Sequence, residues 1–195
     1  MALSSSMVPI GTPAPEFTLP AVDGTEVSLD SFAKDPVLLV AFLSNHCPYV
    51  RRIEDAFGAV TAELAERGLA TVAICSNDVV NYPDDDAAQL RDQVRRAGFR
   101  FPYLVDESQE VARAYRAACT PDLFLYDADR RLAYRGRFDA ATPGNREPAD
   151  GSSLRAAFEL VLAGRPVPEP HTPSVGCGIK WKQGGAPGGW LAPPR

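Results

Sequence analysis

The stretch that decides the fold is residues 37–53, with the sequence Val-Leu-Leu-Val-Ala-Phe-Leu-Ser-Asn-His-Cys-Pro-Tyr-Val-Arg-Arg-Ile. It opens with an unbroken apolar run, residues 37–43, which predicts a strand buried on both faces. Helical periodicity begins at Pro48, and proline is tolerated at the first helical position because its missing N–H would have no intrahelical partner there. We therefore predict a buried strand that leads through a short loop into a helix.

Cys47 lies at or next to the N-cap of this predicted helix. Free backbone amides and the positive end of the helix dipole stabilise a thiolate there, and they can lower a cysteine pKa well below its usual ~8.5. Arg51 and Arg52 add positive potential one turn further on. This placement favours a reactive thiol over a small residue that closes a strand end. The neighbouring His46 is either a source of positive charge and a proton relay, or a loop residue that faces solvent.

The composition excludes several classes of protein. A chain of 195 residues, 45% of them hydrophobic, fits one domain of ordinary size with some additional material. Its net charge of −5 provides no basic surface for nucleic acid or for an acidic membrane. No apolar run approaches the ~18 residues of a membrane span, and the first residues do not resemble a signal peptide. We expect a soluble, cytoplasmic protein with no nucleic-acid or membrane partner.

The four cysteines, Cys47, Cys75, Cys119 and Cys177, are scattered without a C-x-x-C pair. This spacing does not indicate the disulfide framework of a small secreted protein. With only two histidines and no paired-ligand spacing, it does not indicate zinc either, so we predict no cofactor and no metal. Cys75 closes an apolar run, which favours a structural role for it, since buried cysteines behave as small hydrophobic residues.

The elements on either side follow a recognisable order. Residues 1–36 contain a hairpin with Asp23-Gly24 as its turn. After residues 37–43 we predict a helix from Pro48 to a stop at Gly68, a strand at residues 69–75, a helix starting at Asp84-Asp85-Asp86 and running to about residue 96, a strand at residues 101–105 and a helix from Ser108 to about residue 118. The β-α-β-α order predicts right-handed crossovers and a parallel sheet. We interpret the three aspartates as a solvated helix start.

The last part of the pattern is different. Residues 123–126 and 132–138 are predicted to form an antiparallel hairpin, and residues 152–163 a closing helix. Residues 165–195 contain 7 Pro and 6 Gly, so we predict a domain at residues 1–164 and a tail at residues 165–195 without a core of its own. In the tail, residues 175–182 alternate apolar residues with lysines, which predicts a short extended segment docked on the domain.

Together these elements resemble the thioredoxin fold, and the N-terminal hairpin with the added β-α material is similar to its peroxiredoxin-like AhpC/TSA (redoxin) branch. Asn-His-Cys-Pro-Tyr-Val at residues 45–50 and Gly-Cys-Gly-Ile-Lys-Trp-Lys at residues 176–182 are similar to a bacterial group in that branch. The resemblance implies an α/β protein with a thioredoxin-like fold: a central mixed β-sheet flanked by helices, an N-terminal hairpin and an extended C-terminal tail. It also implies a cis bond at Thr120-Pro121, in a loop that faces the reactive cysteine.

This sequence departs from the chemistry of both relatives. Thioredoxins carry a second cysteine three residues after the first, where this chain has Val50. Peroxiredoxins carry Pro and Thr seven and three residues before the cysteine, where this chain has Val40 and Ser44, so that Ser44 can supply the hydroxyl. Arg137 is a candidate for the peroxiredoxin arginine. The residues that the resemblance places around the active site are Ser44, His46, Pro48, Thr120 and Pro121.

The leading functional hypothesis is a thiol–disulfide oxidoreductase in which Cys47 attacks a disulfide and a second cysteine completes the exchange. That second cysteine is either Cys119, beside the proline loop, or Cys177, in the tail. The alternatives are a thiol peroxidase with Cys47 as the peroxidatic residue, and a non-catalytic module that senses redox state or holds Cu(I) through His46, Cys47 and Cys119. The expected partners are a protein or small-molecule disulfide or hydroperoxide and a thiol reductant; the sequence identifies neither that reductant nor an oligomeric state.

Overall fold

The structure, a computed structural model, describes residues 2–188. Its strands in this range are β1 (Ala2–Ser4), β2 (Thr18–Pro20), β3 (Glu26–Ser28), β4 (Val37–Phe42), β5 (Leu69–Cys75), β6 (Tyr103–Val105), β7 (Cys119–Thr120), β8 (Asp122–Tyr126), β9 (Leu132–Gly136) and β10 (Val175–Gly178). Its α-helices are α1 (Pro48–Ala65), α2 (Ala87–Ala97), α3 (Glu110–Tyr115) and α4 (Ser152–Leu162). Two short 3₁₀ turns, Leu29–Phe32 and Pro83–Asp85, precede β4 and α2.

The central sheet is mixed, with the strand order β6-β5-β4-β8-β9. The first three strands run parallel, as the β-α-β order predicts, and β8 and β9 add to β4 as an antiparallel hairpin. The β2–β3 hairpin forms around the predicted Asp23-Gly24 turn. The predicted α/β class with a central mixed sheet is therefore confirmed.

Strand β4 lies at the centre of this sheet, and all six of its residues are buried. Because side chains alternate along a strand, they enter two different cores. Leu39 and Ala41 pack with α1, α2 and α4 on one face. Leu38 and Val40 pack with α3 and the N-terminal segment on the other face. The helices thus flank the sheet on both sides, which explains why this strand tolerates no polar residue.

Helix α3 is shorter than the predicted helix at residues 108–118. It ends at Tyr115 because the next residue, Arg116, adopts a left-handed conformation with φ of 54°. Within residues 2–188, no helix combines the length and the apolar character that a bilayer crossing requires.

A second, smaller sheet with the order β1-β10-β7 lies beside the central sheet. Strand β10 comes from the tail segment and pairs antiparallel with β1 on one side and with β7 on the other. Gly176 allows this pairing, since a Cβ atom there would lie 2.0 Å from the carbonyl oxygen of Thr120. The division into a domain at residues 1–164 and a tail stays a prediction, and residues 189–195 of that tail lie outside the described residues.

Candidate active site

The junction between β4 and α1 carries the predicted nucleophile. Cys47 is the N-cap residue of α1, in an extended conformation with φ of −70° and ψ of 120°, and Pro48 follows at the first helical position. The carbonyl of Cys47 accepts the first helical hydrogen bond from the N–H of Arg51, at 2.9 Å. The side chain of Cys47 is 0% exposed. The predicted N-cap position is confirmed.

The loop opposite Cys47 contains the predicted cis bond, between Thr120 and Pro121. The thiol of Cys47 donates a hydrogen bond to the carbonyl oxygen of Thr120, with 3.1 Å between sulfur and oxygen. Thr120 in turn pairs with Cys177 across the β7–β10 ladder. The structure therefore brings together Cys47, the proline loop and the tail cysteine, which are far apart in the sequence.

The two cysteines at this junction have opposite acidities. The interaction with the thiol of Cys177 is the main reason that the pKa of Cys47 falls from 9.0 to about 5, against the effect of burial. The side chain of Thr120 and the backbone amide of Val50 at the third helical position lower the pKa of Cys47 further. The same interaction raises the pKa of Cys177, which keeps its proton. The interaction thus makes Cys47 the more acidic of the two cysteines.

The other two cysteines are different. Cys119 is fully buried, its thiol donates to the carbonyl of Pro121 at 3.6 Å, and burial together with the nearby Asp122 raises its pKa. Successive residues of a strand face opposite sides, so the side chain of Cys119 lies on the other face of β7 from that of Thr120. Cys75, at the end of β5, has a pKa raised chiefly by burial.

A buried carboxylate that the sequence analysis missed lies behind the junction. Asp85 is 0% exposed, and its carboxylate accepts hydrogen bonds from the hydroxyl of Ser44 at 2.9 Å and from the backbone N–H of Asn45 at 2.7 Å. It also lies 2.8 Å from Nδ1 of His46. The prediction of a solvated helix start is therefore wrong for Asp85, because the 3₁₀ turn Pro83–Asp85 directs it inward.

The remaining two aspartates of that run lie at the start of α2. Asp84 is exposed, and the half-buried Asp86 caps α2 by accepting from the N–H of Gln89 at 2.8 Å. One signal for a polar site was available in the sequence, since Ser44 and Asn77 each follow the end of a buried parallel strand. The carboxyl ends of adjacent parallel strands meet at one edge of a sheet.

His46 is held by its neighbours. Its ring stacks on Tyr82 with 5.8 Å between the ring centroids, and Nδ1 faces Asp85. The ring of Tyr82 also lies 5.7 Å from the ammonium group of Lys180, in the tail segment. His46 is therefore an ordered residue of the site, with its side chain 24% exposed.

The residues considered for copper do not form a metal site. Within residues 2–188, no group of three or more His, Cys, Asp or Glu side chains is arranged to hold a metal ion. Nδ1 of His46 faces Asp85, and the thiol of Cys119 donates to a carbonyl group. The combination of His46, Cys47 and Cys119 is thus not a Cu(I) ligand set in this structure.

The fold, with Cys47 at the start of α1 opposite a cis-proline loop, is thioredoxin-like, and the comparison with known families agrees. The model of the AhpC/TSA family matches residues 10–135. The chain belongs to the AhpC/TSA family. It is therefore an oxidoreductase with a thioredoxin-like fold, and the predicted resemblance to this branch is confirmed. No curated protein matches the sequence.

Two solved structures are similar over almost their whole length. A hypothetical protein from Sinorhizobium meliloti 1021 is 46% identical, with a TM-score of 0.90 over 93% of this chain and 99% of that chain. An uncharacterized conserved protein from Geobacillus kaustophilus is 43% identical, with a TM-score of 0.90 over 93% of this chain and 97% of that one. A thiol:disulfide interchange protein of the thioredoxin family from Chlorobium tepidum TLS, 21% identical, has a TM-score of 0.60 over 80% and 99% of the two chains, and shows the common fold.

Two residues named from the peroxiredoxin pattern contact other groups in this structure. The hydroxyl of Ser44 donates to the carboxylate of Asp85 at 2.9 Å, and a role for it towards Cys47 stays a prediction. Nε of Arg137 donates to the hydroxyl of Ser153 at 3.3 Å. Arg137 also lines a cavity of about 120 Å³, which lies beside Pro121.

Proposed function

We propose that this protein is a thiol–disulfide oxidoreductase, with Cys47 as the nucleophile and Cys177 as the resolving cysteine. The observation that supports this most is the pairing of Cys177 with Thr120 across the β7–β10 ladder, while the carbonyl oxygen of Thr120 lies 3.1 Å from Cys47 Sγ. The interaction between the two cysteines also lowers the pKa of Cys47 and raises that of Cys177. A nucleophile must be ionised at neutral pH, whereas a resolving thiol must stay protonated until its turn. The two shifts support these roles for Cys47 and Cys177.

In the first step, the thiolate of Cys47 attacks one sulfur of the substrate disulfide. A bond forms between Cys47 Sγ and that sulfur, and the substrate S–S bond breaks. The leaving thiolate takes a proton from water. The product is a mixed disulfide between Cys47 and the substrate.

In the second step, the thiol of Cys177 gives its proton to water, and the resulting thiolate attacks Cys47 Sγ. The intramolecular Cys47–Cys177 disulfide forms and the second substrate thiolate leaves, so that the substrate gains two electrons and the protein loses two. The elevated pKa of Cys177 depends on the thiolate of Cys47 beside it. Once Cys47 is in the mixed disulfide that charge is gone, and Cys177 ionises more readily. An external dithiol then reduces the protein again.

Cys177 suits the resolving role better than Cys119. It pairs with Thr120, whose carbonyl accepts from Cys47, and it is only half-buried. Cys119 is fully buried on the other face of β7. We place the reaction in the cytoplasm because the scattered cysteines suit a reducing compartment.

The second candidate is a thiol peroxidase, and the burial of Cys47 favours it because a hydroperoxide reaches an enclosed sulfur more easily than a protein disulfide does. In that reaction Cys47 takes the distal oxygen to become a sulfenic acid and the alcohol leaves. Cys177 then forms the disulfide with loss of water. The bond from Ser44 to Asp85 opposes this candidate.

Single-turnover assays with the reduced protein separate the two candidates. With a small disulfide, we expect rapid formation of a Cys47–Cys177 disulfide by peptide mapping, and we expect Cys177→Ser to stop at the mixed disulfide on Cys47. The Cys119→Ser variant is the matched control and should behave as the wild type. With one equivalent of hydroperoxide, oxidation of Cys47 at the rate of a free thiol supports the disulfide reaction. Rapid peroxide consumption with slow disulfide exchange would reverse the assignment.

A further inference from the structure

The loop that carries Cys47 is attached to Asp85 at three points. The carboxylate accepts from the hydroxyl of Ser44 at 2.9 Å and from the backbone N–H of Asn45 at 2.7 Å, and it faces Nδ1 of His46 at 2.8 Å. These three residues immediately precede Cys47. The position of Asp85 therefore determines the position of the N-cap.

The segment that carries Cys177 is attached to Asn77. The side-chain carbonyl of Asn77 accepts from the backbone N–H of Lys180 at 2.8 Å, and the backbone N–H of Asp78 donates to the carbonyl of Lys180 at the same distance. Lys180 follows Cys177 in the tail segment with only two residues between them. Asn77 lies two residues beyond the end of β5, so it is anchored to the central sheet.

The two attachments meet in one hydrogen bond. The side-chain amide of Asn77 donates to the carboxylate of Asp85, with 2.6 Å between nitrogen and oxygen. Asp85 is 0% exposed and Asn77 is 7% exposed, so water does not compete for this bond. An asparagine can donate to a carboxylate and accept from a backbone amide at the same time, which neither aspartate nor leucine can do.

We propose that Asn77 and Asp85 are positioning residues that hold the Cys47 loop and the Cys177 segment at the spacing at which the two sulfurs can form a disulfide. The inference rests on the proposed function, since it assigns a role within that dithiol reaction. Neither residue contacts the reacting sulfurs; each acts through the backbone on which one cysteine is carried. Disulfide formation requires Cα atoms within about 7 Å, and an intramolecular reaction loses rate when the partner is held less firmly.

The measurement is the effective concentration of Cys177 towards Cys47, obtained by equilibrating the full chain in glutathione buffers and quantifying dithiol and disulfide forms by mass spectrometry after acid quenching. Asn77→Leu keeps the volume and removes both hydrogen bonds. We expect it to lower the effective concentration on the order of tenfold, the effect of one hydrogen bond to a charged group. When both proteins carry Cys177→Ser, adding Asn77→Leu should leave the rate of Cys47 alkylation unchanged.

Ser76→Ala is the matched control, because it removes a buried hydrogen bond to Asp106 at 2.8 Å from the residue next to Asn77, outside the Asn77–Asp85 pair. It should keep the wild-type effective concentration. Where Asn77→Leu does not fold, Asn77→Asp serves instead: it still accepts from Lys180 but sets a second negative charge against Asp85, so a loss at least as large is expected.

The outcomes are distinct. An unchanged value in the Asn77 variants, or an equal loss in Ser76→Ala, overturns the positioning role while the proposed function stands. A wild-type protein that forms no Cys47–Cys177 disulfide at any glutathione ratio overturns the proposed function and this inference with it. A loss confined to the Asn77 variants, with Cys47 alkylation unaffected, supports the positioning role.

Discussion

Cys47 and Cys75 occupy comparable places in the molecule and differ in chemistry. Cys47 lies in the loop after β4, and Cys75 is the last residue of β5. The two strands are parallel neighbours, and both cysteines are buried. Yet the pKa of Cys47 is lowered to about 5, and that of Cys75 is raised. Burial penalises the thiolate at both positions, so the difference comes from donors: Cys47 faces a thiol, a threonine side chain and a helix amide.

The comparison shows that a strand end does not make a cysteine reactive by itself. Cys75 is followed by polar residues, but the carboxylates of Asp85 and Asp106 contribute negative charge around it, which raises its pKa further. Cys47 instead caps a helix and faces β7 and β10. The donors that matter most are supplied by the tail segment, far away in the sequence.

The largest effect should come from removing the nucleophile. Cys47→Ser should reduce disulfide turnover to the uncatalysed rate, since a serine hydroxyl is not ionised at neutral pH. Cys75→Ser should leave turnover at the wild-type value. Steady-state reduction of a small disulfide with a dithiol reductant measures both, and an active Cys47→Ser variant would end the assignment of the nucleophile.

Moving the donors away from Cys47 should make it resemble Cys75. In Gly176→Ala, the new Cβ would lie 2.0 Å from the Thr120 carbonyl oxygen, so β10 must shift away from β7. We expect a loss of about 1–3 kcal/mol in the free energy of unfolding, typical of an overpacked site, together with a raised pKa of Cys47. Gly188→Ala in the same tail is the control, because nothing lies within 4 Å of its Cβ. Denaturant titration and thiol alkylation report the two effects, and equal behaviour of the two variants would contradict the close contact.

A subtler change removes one donor and leaves the strand in place. In Cys177→Ala, the pKa of Cys47 should rise from about 5 towards 9.0, because the first of its stabilising contacts is lost. A rise of at least about one unit corresponds to one hydrogen bond. The midpoint of the alkylation rate against pH measures it. Cys119→Ala should keep the wild-type midpoint, and a shift there instead would exchange the roles of the two cysteines.

A further difference between the two cysteines is expected in the pH dependence of stability. The folded pKa of Cys47 lies below its unfolded value, so the thiolate contributes stability that is fully present above pH 9 and is lost as the pH falls through about 5. The difference in unfolding free energy between wild type and Cys47→Ala should therefore grow between pH 5 and pH 9. The thiol of Cys75 in the wild type stays neutral in that range. The difference in unfolding free energy between wild type and Cys75→Ala should therefore be constant up to about pH 8. Parallel slopes for the two variants would contradict the lowered pKa.

Much of this architecture follows from local sequence. The apolar run of β4, the strand Leu69–Cys75 and the N-cap position of Cys47 follow from hydrophobic periodicity and from one proline. These features depend on neighbours within a few residues. The cis bond before Pro121 follows only from the family resemblance, because local sequence does not distinguish it from other X-Pro bonds.

The parts that could not be predicted depend on long-range register. The position of Cys177 depends on how β10 aligns with β7, since a shift of one residue would turn its side chain to the other face of the sheet. The role of Asp85 depends on a 3₁₀ turn that directs one of three adjacent aspartates inward. No local sequence pattern connects Cys47 with Cys177, or Asp85 with the loop that precedes Cys47.

The register of β10 also has a consequence for the whole chain. Because most of the polypeptide lies between Cys47 and Cys177, their disulfide would close a very long loop and reduce the conformational entropy of the unfolded protein. Two cysteines on a single helical turn are close together whether or not the sheets have formed. Cys47 and Cys177 instead come together only when β10 pairs with β7. Oxidation should therefore raise the melting temperature. The redox state of one pair of sulfurs and the heat resistance of the entire protein would then change together.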